Sequence, residues 1–250
     1  MVAFECIAGC VAGPVEVPSF SRALPDAELN AHIGFTGSVV QAPDESWLVG
    51  GYVSAHQLKT ILDRAAPNFR AEIVLDFGCG SGRTTRFLPL LGSVRQLYGC
   101  DIDAAAIGWL NGLHPPICTA FQIGDRPPFP AGLPQFDLIL AQSVFTHLPL
   151  DLERLWLAEI AKAMKPGGIM ALTFHGPGFQ RIIPPQQQRE FSDTGFMYTN
   201  LGLTPGLPEF YQTSFHSLDY IRREWAAYGQ VLEVVEYGLG GQDVALIQKL

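Results

Sequence analysis

The sequence of 250 residues predicts an α/β fold in which a mostly parallel sheet is covered by helices on both faces. Short apolar runs alternate with segments of helical periodicity between residues 73 and 174. Glycines follow the first apolar run directly, as they do where a buried strand turns into a helix. The last two apolar runs are joined by a glycine-rich turn, which is typical of an antiparallel hairpin. These observations predict a doubly wound seven-stranded sheet, mostly parallel with an antiparallel C-terminal hairpin.

Each element follows from its own pattern. The predicted strands are 73–77, 94–100, 117–123, 136–142, 169–174, 231–237 and 244–248. The predicted helices are 54–66, 83–91, 104–111, 150–164 and 218–228. Ser54 is the expected N-cap of the first helix and Pro67 its stop. The run Lys-Pro-Gly-Gly at 165–168 is expected to break the chain before the fifth strand.

Two segments show no clear periodicity. Residues 1–53 are rich in Pro, Gly and Ser and predict an irregular N-terminal arm, with a short helix near 26–32, that belongs to the same domain. Residues 175–217 show no strong element and predict an insertion that covers a site or forms a binding loop. The main domain is therefore expected to span residues 54–250.

Composition excludes several classes of protein. The net charge of -8 makes binding to a nucleic-acid backbone an unfavourable expectation. The N-terminus lacks the basic region of a signal peptide, and the apolar runs are too short to span a bilayer. The five cysteines are odd in number and widely spaced, which predicts free thiols, no metal site and a cytoplasmic location. They are Cys6, Cys10, Cys79, Cys100 and Cys118.

A glycine-rich turn at 76–82, Asp-Phe-Gly-Cys-Gly-Ser-Gly, predicts a ligand site at the end of the first strand. Glycine tolerates positive φ and lets a ligand approach the backbone, and the following segment points N–H groups at it. Asp101 ends the second strand, where a carboxylate can accept hydrogen bonds from a ribose diol. The spacing is GxGxG rather than the GxGxxG of nicotinamide-binding folds, but these features alone fit either nucleoside cofactor.

The whole constellation over residues 73–174 resembles the class I S-adenosylmethionine (SAM) dependent methyltransferases, which have a Rossmann-like sheet. The resemblance implies that the glycine loop wraps the methionine part of SAM, that Asp101 binds the ribose and that Asp125 meets the adenine. It also places the loop 142–148 near the methyl group, and the run at 165–168 is the family's usual lead into its fifth strand. The cofactor-binding residues implied are Asp76, Phe77, Gly78, Cys79, Gly80, Gly82, Arg83, Asp101, Ile102, Asp125, Gln142 and Ser143. The competing interpretation is a nicotinamide-binding protein.

Three of these assignments have a structural alternative. Asp103 either shares the ribose role with Asp101 or caps the following helix, and the cap is the favoured interpretation. Asp125 is followed by Arg126 and two prolines, a departure from the family's small residue, so an ion pair with Arg126 is the alternative to an adenine contact. Arg83 either contacts the methionine carboxylate or pairs with a surface acid.

Four residues are candidates for catalysis, because methyl transfer to a hydroxyl usually needs a base. His147 lies in the loop after strand four, although it can also cap or pack the next helix. His175 ends strand five, and His216 and Tyr211 lie before the last helix. Aromatic residues of the two irregular segments pack together or line an acceptor pocket. They are Trp47, Tyr52, Phe196, Tyr198, Phe210, Tyr211 and Phe215.

No sequence motif identifies the methyl acceptor. No Asn-Pro-Pro-Tyr or Asp-Pro-Pro-Tyr segment follows strand four, which argues against methylation of DNA bases. Residues 191–225 and the ending at 241–244 resemble a bacterial branch of methyltransferases often found beside glycosyltransferases. This resemblance implies transfer to an oxygen of a glycan or secondary metabolite, with S-adenosylhomocysteine as product. The alternatives are a SAM-binding regulatory subunit and a SAM-fold enzyme of different chemistry.

Overall fold

A computed structural model describes residues 45–201 and 210–250, with only the backbone of residues 45–47. The expected arm helix near 26–32, Cys6, Cys10 and the side chain of Trp47 lie outside this part of the chain. The described strands are β1 (Ile73–Phe77), β2 (Gln96–Asp101), β3 (Thr119–Gln122), β4 (Phe136–Ala141), β5 (Met164–Phe174), β6 (Phe196–Thr199), β7 (Thr213–His216), β8 (Gln230–Leu239) and β9 (Gln242–Gln248).

Seven of these strands form the main sheet, in the order β3-β2-β1-β4-β5-β9-β8. Strands β1 to β5 pair in parallel, and β9 runs antiparallel to both β5 and β8. The predicted doubly wound sheet with an antiparallel C-terminal hairpin is confirmed. Because the strand order reverses between β1 and β4, a crevice opens there at the carboxyl ends of the strands.

Helices cover both faces of the sheet. The α-helices are α1 (Glu45–Ala65), α2 (Ala104–Asn111), α3 (Leu150–Ala163), α4 (Gln188–Thr194) and α5 (Leu218–Glu224). Short 3-10 segments occupy Thr85–Leu91, Pro177–Ile182, Pro185–Gln187 and Trp225–Tyr228. One face of the sheet packs around Trp156 and Trp225, and the other packs against Leu58 and Leu62 of α1. No helix among the described residues is long and apolar enough to cross a membrane.

Three local predictions differ from the structure. Ser54 is not an N-cap, because α1 begins at Glu45 and the buried Ser54 hydroxyl accepts a hydrogen bond from Gln142. The predicted helix 83–91 is present, but as the shorter 3-10 segment Thr85–Leu91 with Pro89 inside it. The run at 165–168 lies inside β5 and not before it: the Gly167 amide donates to the Lys249 carbonyl (2.8 Å), while the pairing with β4 is irregular between Met164 and Ile169.

The segment 175–217 holds more structure than its sequence predicts. Strands β6 and β7 pair as an antiparallel ribbon, and α4 precedes them. This ribbon has a small core of its own, made of Ile183, Phe191, Met197 and Phe215. The four-residue strands are too short to show an alternating pattern, which is why the sequence conceals them.

A buried carboxyl group near the end of β5 carries part of the pH dependence of folding. Asp243 on β9 is fully buried; its Oδ1 accepts a hydrogen bond from the Tyr237 amide (2.8 Å), and its Oδ2 has no partner among the described residues. Burial raises the pKa of Asp243 from 3.8 to about 6. The folded state therefore holds this proton more tightly than the unfolded state does, and the associated stability is lost as the pH rises from about 4 through about 6.

We expect Asp243→Asn to stabilise the protein relative to wild type at pH 7 more than at pH 4.5. The amide keeps the acceptor for Tyr237 but removes the buried charge. The measurement is the free energy of unfolding by urea at both pH values. Asp219→Asn is the control, because its side chain is 92% exposed. A difference between Asp243→Asn and wild type that does not change with pH would contradict this account.

Candidate functional site

A cavity opens at the carboxyl ends of β1, β2 and β4, where the strand order reverses. It is lined by Phe77, Gly78, Asp101, Ile102, Ile123, Asp125, Ser143, Val144, Leu148, Trp156, Phe210 and Tyr211. Seven of the predicted site residues are among them, namely Phe77, Gly78, Asp101, Ile102, Asp125, Ser143 and Tyr211. The cavity therefore joins the glycine loop, the acid after β2, the acid after β3 and the loop after β4.

The glycine loop is folded tightly beneath this cavity. Gly78, Gly80 and Gly82 all have positive φ, at 78°, 52° and 80°. The amides of Gly78 and Cys79 both donate to the Cys100 carbonyl, at 2.8 and 3.0 Å, which ties the loop to β2. A Cβ on Gly78 would lie 2.3 Å from Val144 Cγ2, so only glycine fits against the loop after β4.

The carboxylate of Asp101 connects the glycine loop to the end of β2. Its Oδ2 accepts the Gly80 amide at 2.7 Å, and its Oδ1 accepts the Asp103 amide at 2.9 Å. Burial raises the pKa of Asp101, and the two backbone hydrogen bonds oppose that shift. Each carboxylate oxygen retains a lone pair, so the group can still accept hydrogen bonds from a diol in the cavity. The side chain of Asp103 instead caps α2 through the amides of Ala105 and Ala106, at 2.8 and 3.2 Å.

Six other predicted cofactor residues do not line the cavity. They are Asp76, Cys79, Gly80, Gly82, Arg83 and Gln142. Asp76 lies below the loop, where its Oδ2 accepts the Thr85 hydroxyl at 2.6 Å and burial raises its pKa to about 6. The Gln142 side chain bridges the hydroxyls of Thr84 and Ser54. These contacts hold the loop in shape, and a backbone contact to a ligand from Gly80 remains a prediction.

The other predicted cofactor residues, and the neighbours of Asp125, have the following surroundings. The Cys79 side chain belongs to the core around α2, and a Cβ on Gly82 would lie 2.7 Å from Ile117 Cδ1. Arg83 has an exposed side chain. Arg126 pairs with Asp151 at 3.1 Å, and the Asp125 carbonyl accepts Trp156 Nε1 at 2.9 Å.

His147 and His175 are brought together, with ring centroids 6.1 Å apart. His147 Nδ1 lies 2.6 Å from the Gln212 carbonyl oxygen, and His175 Nδ1 lies 3.1 Å from the Ser214 carbonyl oxygen. A carbonyl only accepts, so each Nδ1 carries a proton and each Nε2 keeps a lone pair. Burial lowers the pKa of His147 and lowers that of His175 to about 4, which keeps both rings neutral near pH 7.

Tyr211 links these histidines to the cavity. Its ring stacks on His147 at a centroid distance of 4.2 Å, and it lines the cavity. Burial, followed by the charge of Asp101, raises the pKa of Tyr211 to about 12. The phenol therefore stays protonated at neutral pH and can donate a hydrogen bond.

The prediction that His216 is a candidate base is wrong on geometry. Its side chain is fully buried, and its Nε2 lies 2.6 Å from Glu153 Oε2 on α3. Like His147 and His175, it does not line the cavity, but unlike His147, which stacks on Tyr211, its ring contacts are with residues that do not line the cavity either, namely Phe174, Phe196, Tyr220 and Trp225. The sequence gives no sign of this, because the direction of a side chain on a four-residue strand depends on register.

Sequence reasoning missed a polar cluster at the end of β5. Gln242 Oε1 accepts the hydroxyls of Ser143 and Thr173, at 3.0 and 2.7 Å, and the Ser143 amide donates to Thr173 Oγ1 at 2.7 Å. These contacts hold Ser143 at a φ of 61°, which turns the loop after β4 toward the cavity. The sequence analysis names Ser143, but its partners Thr173 and Gln242 lie 30 and 99 positions away, and no local motif connects them to it.

Comparisons with known proteins agree with this fold. Residues 75–170 match the family model of a methyltransferase domain. The fold is similar to Streptomyces venezuelae DesVI, with a TM-score of 0.56 and 16% identity over 79% of this chain and 91% of that one. SAM-bound CalS10, an amino pentose methyltransferase from Micromonospora echinaspora, has a TM-score of 0.54 and 18% identity over 82% and 96% of the two chains. The glycopeptide N-methyltransferase MtfA with SAM has a TM-score of 0.55 and 17% identity over 80% and 92%.

One curated sequence also matches over a short stretch. It is the arginine ABC transporter permease protein ArtM of Haemophilus influenzae, 31% identical over 86 residues. The match spans 31% of this chain and 38% of the permease, well under two thirds of its length. It carries no conclusion about this chain's activity.

We expect Gly78→Ala to weaken S-adenosylhomocysteine binding by at least about tenfold, ~1.4 kcal/mol. The added Cβ would collide with Val144, in addition to the backbone strain at positive φ. Gly80→Ala is the matched control, since it also has positive φ but no atom within 4 Å of its Cβ. Isothermal titration calorimetry measures the difference. The added change Val144→Ala should recover part of the affinity; equal losses in both glycine variants would show that the collision is unimportant.

Proposed function

We propose that this chain is a class I SAM-dependent methyltransferase that transfers the methyl group of SAM to an oxygen of a sugar or other small molecule. The methyltransferase family model over residues 75–170 and the similar folds of three methyltransferase structures support this proposal. When bound, SAM supplies an electrophilic methyl group on its sulfonium. The chain's own residues bind the donor, align the acceptor and take up the proton of the acceptor hydroxyl. Alignment of two reactants alone contributes about 7–11 kcal/mol toward the barrier when the geometry is good.

The donor half of the proposal rests on the cavity lining. Asp101 retains acceptor capacity at the end of β2, which suits the two hydroxyls of a ribose. Ile102, Ile123 and Trp156 provide apolar walls on which an adenine ring can pack, with Asp125 at the edge. The tight approach of Gly78 to Val144 leaves the loop backbone facing the cavity. We therefore assign the ribose to Asp101 and the adenine amino group to Asp125.

The proton-acceptor half rests on one observation, the neutral and oriented pair His147 and His175. Their Nδ1 atoms are bound to backbone carbonyls, so the free lone pairs are at Nε2. A neutral imidazole can take the hydroxyl proton as the methyl group is transferred. His147 is the preferred base, because it stacks on the cavity residue Tyr211. Tyr211 and His175 are assigned to orienting the acceptor.

A nitrogen acceptor is the second candidate. MtfA is a glycopeptide N-methyltransferase, and CalS10 acts on an amino pentose. The net charge of -8 would also attract a cationic amino sugar. The test incubates the protein with SAM and matched pairs of sugars that differ only in a hydroxyl or an amino group, and then identifies the methylated atom by NMR. Methylation of the amino sugar alone would replace oxygen with nitrogen in the proposal.

Two other functions are distinguished by the same incubation. A regulatory SAM-binding protein would form no S-adenosylhomocysteine with any acceptor. A SAM-fold enzyme of different chemistry would alter the acceptor by something other than one methyl group.

We further propose a cytoplasmic setting, consistent with the free thiols Cys79, Cys100 and Cys118.

We expect Asp101→Asn to weaken S-adenosylhomocysteine binding by about tenfold or more, because the amide loses acceptor capacity for the ribose and for the Gly80 amide. Asp103→Asn should bind as wild type does, since asparagine also caps a helix. Calorimetry compares the two variants. NAD should not stabilise the wild type in a thermal-shift assay, whereas S-adenosylhomocysteine should. Stabilisation by NAD alone would overturn the assignment of the cofactor.

We expect the rate at saturating SAM to be constant from pH 9 to pH 7 and to fall only below the ordinary histidine range. Burial lowers the pKa of both site histidines, so protonation abolishes the base only in acid. His147→Gln should lower kcat by about 10²–10⁴-fold and His175→Gln by less. His114→Gln, on an exposed residue remote from the site, is the control. An unchanged kcat in both site variants would remove the base from the mechanism.

A further inference from the structure

Both candidate bases are held by one short strand. The carbonyls of Gln212 and Ser214 bind the Nδ1 atoms of His147 and His175, at 2.6 and 3.1 Å. Carbonyls two residues apart in an extended chain point to the same side, so the start of β7 presents both acceptors in one direction. The orientation of each imidazole, and the nitrogen that keeps the lone pair, therefore depend on where this strand lies.

The backbone of β7 reinforces this dependence. The Ser214 amide donates to the Thr146 carbonyl at 2.8 Å, and its hydroxyl donates to the Leu148 carbonyl, so both neighbours of His147 are bound to the strand. The His216 amide donates to the His175 carbonyl at 2.9 Å. Strand β7 thus binds the loop after β4 and the end of β5 at the same time.

The strand itself has little support from a sheet. Within residues 45–201 and 210–250, its ladder partner is the four-residue β6, in a two-stranded ribbon. A ribbon of that size is marginal by itself and needs an anchor in the core.

The anchor is the fully buried side chain of His216. Its Nε2 lies 2.6 Å from Glu153 Oε2, and its Nδ1 has no partner among the described residues, so Glu153 is its polar contact. Glu153 Oε1 accepts the Tyr220 hydroxyl at 2.8 Å and Trp225 Nε1 at 3.0 Å. The carboxylate thus joins α3, β7, α5 and the turn after α5 in the apolar interior. Breaking such a buried contact on one side leaves a polar group unsatisfied in the apolar interior, which disfavours the position that β7 takes here.

We propose that Glu153 and His216 are positioning residues, which act through strand β7 to set the tautomer and orientation of His147 and His175. This inference rests on the proposed function, because it gives those two histidines their role. Glu153 and His216 do not line the cavity, both side chains are fully buried, and their polar contacts are with each other, Tyr220 and Trp225, so we assign them no contact with the acceptor or the donor. Their effect on the site passes through the carbonyls of Gln212 and Ser214.

The test reads the tautomers directly, by the nitrogen chemical shifts of isotope-labelled histidine in the full chain. Signals are assigned with His147→Gln and His175→Gln. Wild type should show both rings with the proton on Nδ1. Glu153→Gln and His216→Phe should lose the Nδ1–H signals in favour of tautomer mixtures, because the strand that holds them is released. His216→Gln should retain the wild-type signals, because its amide N–H can still reach Glu153.

Two controls separate this role from general stability. Asp151→Asn makes the same acid-to-amide change on α3, at an exposed residue paired with Arg126, and should change nothing. Lower stability with unchanged tautomers in the folded Glu153→Gln or His216→Phe protein would overturn the inference. If Glu153→Gln does not fold, His216→Phe decides, since it fills the ring volume and leaves Glu153 its other two donors.

Binding of S-adenosylhomocysteine, measured on every variant, separates this inference from the proposed function. It should remain close to wild type in His216→Phe, whose changed side chain is remote from the cavity. Failure of the wild type to bind S-adenosylhomocysteine would sink the proposed function. Tautomers that persist in a His216→Phe protein that does bind would sink the positioning role alone.

Discussion

The hydrogen bond from the Gly80 amide to the Asp101 carboxylate, at 2.7 Å, is the contact from which the rest of the site is built. It joins the loop after β1 to the end of β2, and the amides of Gly78 and Cys79 add two more bonds to the same strand. Glycine is a steric requirement at positions 78 and 82, where a Cβ would collide with Val144 and Ile117, whereas at position 80 the requirement is the positive φ. The cavity exists because the glycine loop is held close to the strand ends and Val144 packs against Gly78.

A second set of contacts, independent of the first, builds the other half of the site. Glu153 fixes His216, the strand holding His216 binds the ends of β4 and β5, and its carbonyls hold two imidazoles. The first set acts through backbone amides at a strand crossover, and the second through a buried side-chain cluster. They meet at Tyr211, which lines the cavity and stacks on His147.

How well each half of the site is predicted from the sequence depends on how far apart along the chain its interacting residues lie. The glycine loop, Asp101 and α2 are read from neighbouring residues, since local periodicity and glycine spacing specify them. The predicted helix 104–111 is found at Ala104–Asn111, capped by Asp103 as its sequence indicates. By contrast, the direction of His216 and the role of Glu153 depend on contacts across 63 positions of the chain, which no local pattern encodes. Ser54 lies inside α1 and not at its N-cap, because the helix begins at Glu45, within the segment predicted to be an irregular arm. The contact of its hydroxyl with Gln142, 88 positions away, is likewise not encoded locally.

The ribbon of β6 and β7 has its own small core and touches the main sheet chiefly through β7. An element with a separate core can change its sequence without disturbing the crossover that holds the glycine loop. The residues just before β7 bring Tyr211 to the cavity, and the carbonyls of Gln212, before the strand, and of Ser214, within it, support the two imidazoles. A relative that exchanged this ribbon for another would inherit the donor half intact and acquire a new acceptor half. The fold thereby places the donor half and the acceptor half on separate structural elements, the main sheet and the two-stranded ribbon.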